Sequence, residues 1–137
     1  MSLKRSEALS LYFELEKNTE KFIQAIQEKG FRLIAVGSYK SVYSKNKSSY
    51  VIKVATSLND ENSDVPNNIK DFYVKPFFID ERIVIQKKAK TNTSQLNFKK
   101  ICSKLGDKVC QHLDITPQNC GSIKGRPVIF DFAEMPC

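Results

Sequence analysis

Phe31 to Ala55 reads FRLIAVGSYKSVYSKNKSSYVIKVA, and its last six residues, Tyr50 to Ala55 (YVIKVA), are an apolar run interrupted by one lysine. β-Branched and aromatic residues fill three short segments, Phe31–Gly37, Ser41–Lys45 and Tyr50–Ala55. Turn residues separate them at Gly37 and at Asn46-Lys47-Ser48. Two tight returns in a row give an antiparallel meander, since parallel neighbours need a long crossover. Lys53 inside the third strand requires an ionic partner, because burying its charge alone is costly.

Upstream, Ser6 to Lys29 reads as helix, with Leu9, Tyr12, Phe13 and then Phe22, Ile23, Ile26 at helical spacing. Asn18-Thr19 can cap a second helical piece, and Gly30 is a natural stop. Glu7, Glu14 and Glu16 among the apolar residues mark an amphipathic helix and not a signal peptide. Downstream, Thr56 to Asn68 (TSLNDENSDVPNN) is polar and aperiodic and reads as a loop. Phe72 to Ile79 and Arg82 to Lys87 form a hairpin across Asp80-Glu81, with Pro76 placing the first strand at an edge or bulge. Ser94 to Leu105 is a helix capped by Ser94, with Leu96, Ile101 and Leu105 on its apolar side and Gly106 as its stop. Cys120 to Ile123 and Pro127 to Phe130 are short strands around Lys124-Gly125. The expected fold is α+β: a helix, five strands, a helix and two short strands.

Composition limits the function classes. The chain has 137 residues, 41% hydrophobic and 27% charged, which fits one globular domain. It has no apolar run of about eighteen residues, so no membrane span is expected. A net charge of +7 attracts anions. The lysines are spread along the chain, and stretches such as QKKAK and NFKK read as solvated faces, so nucleic acid is not the expected partner. Cys102, Cys110, Cys120 and Cys137 have no CxxC spacing, so free, inert thiols in a reducing cytoplasm are expected rather than a zinc site.

Three segments carry chemistry when read together: Val36 to Tyr43 (VGSYKSVY), Val51 to Ala55 (VIKVA), and His112 to Asn119 (HLDITPQN) followed by Ile129 to Phe132 (IFDF). Phosphoryl transfer needs a flap over the nucleotide, a lysine aimed at phosphates, an Asp that orients the acceptor hydroxyl, and hard oxygen ligands for Mg²⁺. Lys53 and Asp131 both lie in apolar runs, which points both toward a shared, partly enclosed site.

In these residues the chain resembles the protein-kinase-like fold. GSYKSVY resembles the glycine-rich loop, VIKVA the strand of the ATP-binding lysine, HLDITPQN the catalytic loop and FDFAE the metal-binding segment. It looks most like the very short kinase-like proteins of phages and mobile bacterial elements, over roughly Gly30 to Glu134. The resemblance implies a minimal kinase-like domain: residues 1–29 the N-terminal helix, 30–89 an N-lobe-like five-stranded antiparallel sheet, and 90–137 a remnant C-lobe of one helix and the catalytic hairpin. It implies ATP and Mg²⁺ as cofactors, with Asp114 and Lys53 catalytic. Asn119 and Asp131 would be the metal ligands. Gly37, Ser38, Tyr39, Lys40 and Ser41 would cover the phosphates, and Lys87 to Ala89 would form the hinge against adenine.

The chain departs from that pattern in several places. Tyr39 and Ser41 stand where further glycines are usual, Leu113 where Arg is usual, Thr116 where a phosphate-contacting Lys is frequent, and Ala133 in place of the Gly of DFG. No helix follows the third strand to give Lys53 a glutamate; Glu61 lies in the loop, and Glu14, Glu16, Glu20 and Glu28 of the N-terminal helix are the substitutes. The chain ends at Cys137 with no helical lobe for a peptide, so that platform would come from a second copy or from the partner.

Each residue also has an ordinary reading: Lys53 a snorkelling strand lysine, Asp114 a turn cap, Asn119 a turn residue, Asp131 a strand end. His112 is expected to pack and order its loop, and Tyr39 and Tyr43 to pack in the sheet. The combined order favours an ATP- and Mg²⁺-dependent protein Ser/Thr kinase, able to act on itself, on a protein substrate or on a host protein in the host cytoplasm. The alternatives are a pseudokinase-like binding protein and a small-molecule kinase.

Overall fold

The computed structural model describes residues 3–36, 40–55, 66–80 and 82–131. The chain forms two compact units, Met1–Asn62 with Pro76–Lys87, and Ser63–Lys75 with Lys88–Cys137.

In the first unit the N-terminal helical stretch is two helices, α1 (Arg5–Glu14) and α2 (Thr19–Glu28). Asn18 caps the second, its side chain accepting a hydrogen bond from the Lys21 amide at 3.1 Å. The strands are β1 (Arg32–Val36), β2 (Lys40–Ser44), β3 (Tyr50–Ala55), β4 (Phe78–Ile79) and β5 (Ile83–Lys87). They make one antiparallel sheet in the order β1-β2-β3-β5-β4. The three-strand meander and the expected hairpin thus join in one five-stranded antiparallel sheet, with β3 as its central strand.

Strand alternation separates the two faces of this sheet. Tyr50, Ile52 and Val54 of β3, with Tyr43, Ile83 and Ile85, share one core with Ala8, Tyr12, Phe22 and Ile26 of the helices. Val51, Lys53 and Ala55 therefore occupy the opposite face. Tyr43 packs in the sheet as expected. All five residues of β1, an edge strand, are exposed.

The expected strand Phe72–Ile79 is cut to its last two residues. Residues Asn67–Ile69 form a turn of 3₁₀ helix, and the amides of Phe72 and Tyr73 both bond the Ile69 carbonyl. Tyr73 then bridges Ile129, with Val74 N bonded to Ile129 O at 2.9 Å. Pro76, which has no N–H to offer a ladder, follows at once. Only Phe78 and Ile79 are left to pair with β5.

The second unit holds α3 (Ser94–Leu105), α4 (Asp107–His112) and the hairpin β6 (Cys120–Ile123)–β7 (Arg126–Ile129). The helical part is thus two helices and not one. Ile69, Ile101, Leu113, Ile115, Cys120 and Ile129 form its core. The hairpin turn has Lys124 at φ 52 and Gly125 at φ 78, both left-handed, as a two-residue hairpin of this hand requires. In α3 the N-cap is Thr93, not Ser94. The Ser94 hydroxyl instead donates to the Cys120 carbonyl at 2.8 Å, joining the helix to β6. Leu96 is 53% exposed, and buried Asn97 replaces it on the inner side, accepting a hydrogen bond from Thr93 Oγ1.

The thiol expectation is corrected as well. Cys102 and Cys110 form a disulfide with a Cα–Cα distance of 6.1 Å. Gly106, at φ 91, ends α3 and lets α4 double back, so two cysteines eight apart meet across the helix junction. That spacing is neither a metal nor a redox motif, and only the turn geometry reveals the pair. A disulfide removes the thiol-based expectation of a reducing compartment. Cys120 is a free, buried thiol, and burial pushes its pKa up to about 11. No helix among the described residues is long and apolar enough to cross a membrane.

Two predictions follow from this packing. Reducing the disulfide, or Cys102→Ala, lowers the stability of the second unit by about 2–3 kcal/mol, read as a fall in melting temperature with dithiothreitol. The Tyr50 hydroxyl donates to the Leu3 carbonyl, and burial, with Glu7 adding to it, raises its pKa to about 12 from 10.0. The folded state then holds a proton that the unfolded chain releases, so this stabilisation is present below pH 10 and is lost as pH rises toward 12. Tyr50→Phe costs about 1 kcal/mol near neutrality and flattens the alkaline decline in denaturant titrations.

Candidate functional site

In the first unit the site begins with Lys53. It lies at the middle of β3, opposite Val42 on one side and Val84 on the other, and is only 3% exposed. Its face of the sheet also carries Ser44 and Gln86, the latter opposite Val51 and fully buried. Gln86 thus departs from the solvated reading of QKKAK. Ser44 Oγ is buried with no hydrogen-bond partner among the described residues. A lysine, a hydroxyl and an amide buried on one sheet face make a polar surface where an apolar one would be the default. The sequence signal for the last two was available in the alternation of KSVYS and IVIQK.

The face also decides the question of the glutamate. α1 and α2 pack against Ile52 and Val54, while Lys53 alternates to the other side. Glu14, Glu16, Glu20 and Glu28 are all exposed. The N-terminal helices are therefore not where a partner carboxylate for Lys53 comes from. Glu61 lies outside the described residues, as do Gly37, Ser38, Tyr39 and Ala133. Of the segment expected to cover phosphates, Lys40 is opposite Ala55 and shares the Lys53 face, whereas Ser41 is opposite Val54 and faces the helices. Lys87 is opposite Tyr50, so its side chain also belongs to the helix-covered face. The chain leaves the first unit between Lys87 and Lys88.

In the second unit the structure brings Asp114, Asn119 and Asp131 into one neighbourhood. Asn119 Nδ2 donates to the Asp114 carbonyl at 3.1 Å. The Phe130 amide donates to the Asn119 carbonyl at 3.0 Å, which fixes the residue next to Asp131. The Asn119 side-chain bond fixes the amide orientation and leaves Asn119 Oδ1 as the atom that can accept or ligate. Asp114 is exposed and sits at φ 50, a left-handed conformation that Asp tolerates better than most residues. Strained backbone of this sort concentrates at functional sites.

The loop is ordered differently from the expectation. His112 ends α4 and is exposed. The packing comes from Leu113 and Ile115, each 3% exposed, and from the Ile115 amide bonded to the Cys110 carbonyl at 2.8 Å. Leu113, a departure from the kinase pattern, is thus a core residue here. Gly121 is a residue that motif reading passed over. A Cβ there would lie 2.5 Å from the Lys90 carbonyl oxygen, because Lys90 and Ser122 exchange two backbone bonds of 2.8 Å. The signal was a glycine inside a strand, which marks close backbone approach. Ala89 lies against the same glycine, its Cβ 3.1 Å from that position.

Among the described residues no cluster of three His, Cys, Asp or Glu could hold a metal by itself. Asn119 Oδ1 and the Asp131 carboxylate are hard oxygens of the kind that Mg²⁺ takes as ligands. No protein-family model, curated protein or solved structure matches this chain.

The left-handed backbone at Asp114 gives a stability test. Asp114→Gly should leave the melting temperature nearly unchanged, while Asp114→Ala should cost about 1 kcal/mol. Asp114→Asn, which keeps the conformation, is therefore the cleaner probe of the carboxylate.

Proposed function

We propose that this protein is an ATP- and Mg²⁺-dependent phosphotransferase of the protein-kinase-like kind, transferring a phosphoryl group to a Ser or Thr hydroxyl of a protein. The observation that carries the reading is the hydrogen-bond chain from Asn119 to the Asp114 carbonyl and from Phe130 to Asn119, which holds the backbone of Asp114, Asn119 and the neighbour of Asp131 close together. The buried lysine of the central strand supports it. In this reading Asp114 orients the acceptor hydroxyl, Lys53 steadies the nucleotide phosphates, and Asn119 Oδ1 and the Asp131 carboxylate hold Mg²⁺. The ion supplies charge neutralisation between the phosphates. The protein's own share is positioning and fixed charge, which a small scaffold can provide.

A second reading, a pseudokinase-like protein that binds a partner without phosphotransfer, draws on one observation. β1 exposes Leu33, Ile34 and Val36, at 48%, 57% and 70%, along an open sheet edge. Such an edge can pair with an added strand.

Incubation with γ-labelled ATP and Mg²⁺, with and without cell lysate, decides between them. The enzyme reading expects label on a protein band, reduced about 100-fold or more in Asp131→Asn, Asp114→Asn and Lys53→Met. Absence of label from folded protein, with no Mg-ATP-dependent rise in melting temperature, overturns it and leaves the binding protein.

A further inference from the structure

The first unit contains a second polar feature, on the face of the sheet away from Lys53. A cleft of about 890 Å³ opens among the start of α1, the β2–β3 turn and the end of β5. Lys4, Arg5, Lys45, Lys47 and Lys87 line it, and among the described residues no carboxylate does. Glu7, the acidic residue of the first turn of α1, accepts a hydrogen bond from the Lys4 amide and lines an adjoining groove of about 330 Å³ that shares Leu3 and Ser6 with the cleft, so its one charge reaches Tyr50 against five cations.

The cationic side is partly built. Lys45 Nζ is held 2.9 Å from the Lys29 carbonyl at the end of α2. The Ser48 hydroxyl donates to the Tyr50 carbonyl and accepts from the Tyr50 amide, fixing the turn that presents Lys45 and Lys47. The Arg5 guanidinium lies 3.8 Å from the centre of the Phe77 ring, which orients its planar fork. The other side of the cleft is apolar: Leu3, Phe31, Tyr50 and Phe77. Phe77 remains 46% exposed there.

This combination specifies a ligand. Five cations around one concavity concentrate positive potential, and an apolar wall strengthens the field by excluding water. A single carboxylate would satisfy little of that charge. A phosphate monoester brings nearly two negative charges and three acceptor oxygens, which suits Arg with several lysines. The apolar wall then requires that the phosphate carry an apolar or aromatic body. The volume falls within the range of about 300–1,000 Å³ usual for small-molecule sites. We propose that this cleft binds a small organic phosphate monoester with an aromatic or other apolar body, at a site separate from Lys53.

The test uses 1-naphthyl phosphate in isothermal titration calorimetry with the full chain, beside inorganic phosphate and 1-naphthol. Naphthyl phosphate should bind about tenfold or more tightly than either fragment, because only it uses both walls. The Arg5→Gln/Lys47→Gln double variant should lose about tenfold or more, the effect of removing two charge-assisted contacts. Both residues are exposed, and Lys47→Glu alone, with its melting curve, guards against a folding defect. Lys53→Met and Lys99→Gln/Lys100→Gln should leave the affinity unchanged. Several results overturn the proposal. Equal affinity for phosphate and naphthyl phosphate, or equal loss in the Lys99/Lys100 variant, means diffuse charge only. Equal binding of naphthol means an apolar groove. Loss confined to Lys53→Met places the anion at the phosphotransfer residues. No binding of naphthyl phosphate refutes the site.

Discussion

Successive side chains of a β-strand point to opposite faces, and in β3 this alternation sets the whole organisation of the first unit. Ile52 and Val54 require an apolar cover, and α1 and α2 supply it through Tyr12, Phe22 and Ile26. Lys53 is thereby committed to the other side with Ser44 and Gln86. A shift of register by one residue would send the lysine into the helix-packed core and turn Ile52 and Val54 to the opposite, polar face. The apolar core and the polar face are two results of one pairing register.

In the second unit a comparable role falls to backbone bonds. The stretch from Leu113 to Asn119 is held by its own turns and by two apolar side chains pointing inward, while its polar residues stay outside. The loop can therefore present Asp114 without burying it. The disulfide between α3 and α4 ends one residue pair before this loop, and Cys110 accepts the Ile115 amide through its carbonyl. Loop geometry and covalent cross-link are thus linked through a single residue.

Much of this architecture could be read from residue patterns, and the failures have identifiable causes. YVIKVA, bounded by turn residues, gave its strand without error, and Ser94 to Leu105 matched its helix end to end. Asn18 and Gly30 bounded α2 because capping chemistry is local. The stretch Phe72 to Ile79 misled because its first half is recruited by β7, a long-range pairing with no local signature. The disulfide was missed because its geometry depends on the sharp turn at Gly106. The basic cleft was not legible for the same reason: its five cations come from three separate segments. Of the candidate site, the neighbourhood of Asp114, Asn119 and Asp131 was expected from the resemblance carried by their two segments, whereas Ser44 and Gln86 were passed over although the alternation of KSVYS and IVIQK marks their face.

The order of strands has a consequence for synthesis. β3 and β5 are neighbours in the sheet, yet the chain between them includes a segment belonging to the other unit. As the polypeptide emerges from the ribosome, the meander β1-β2-β3 is complete well before β5 exists. During that interval one margin of β3, an uncharged apolar strand apart from Lys53, has no hydrogen-bonding neighbour. Such a margin is a template for association between nascent chains. Lys53 is the one charge on that strand, and a charge inside an apolar strand opposes such association.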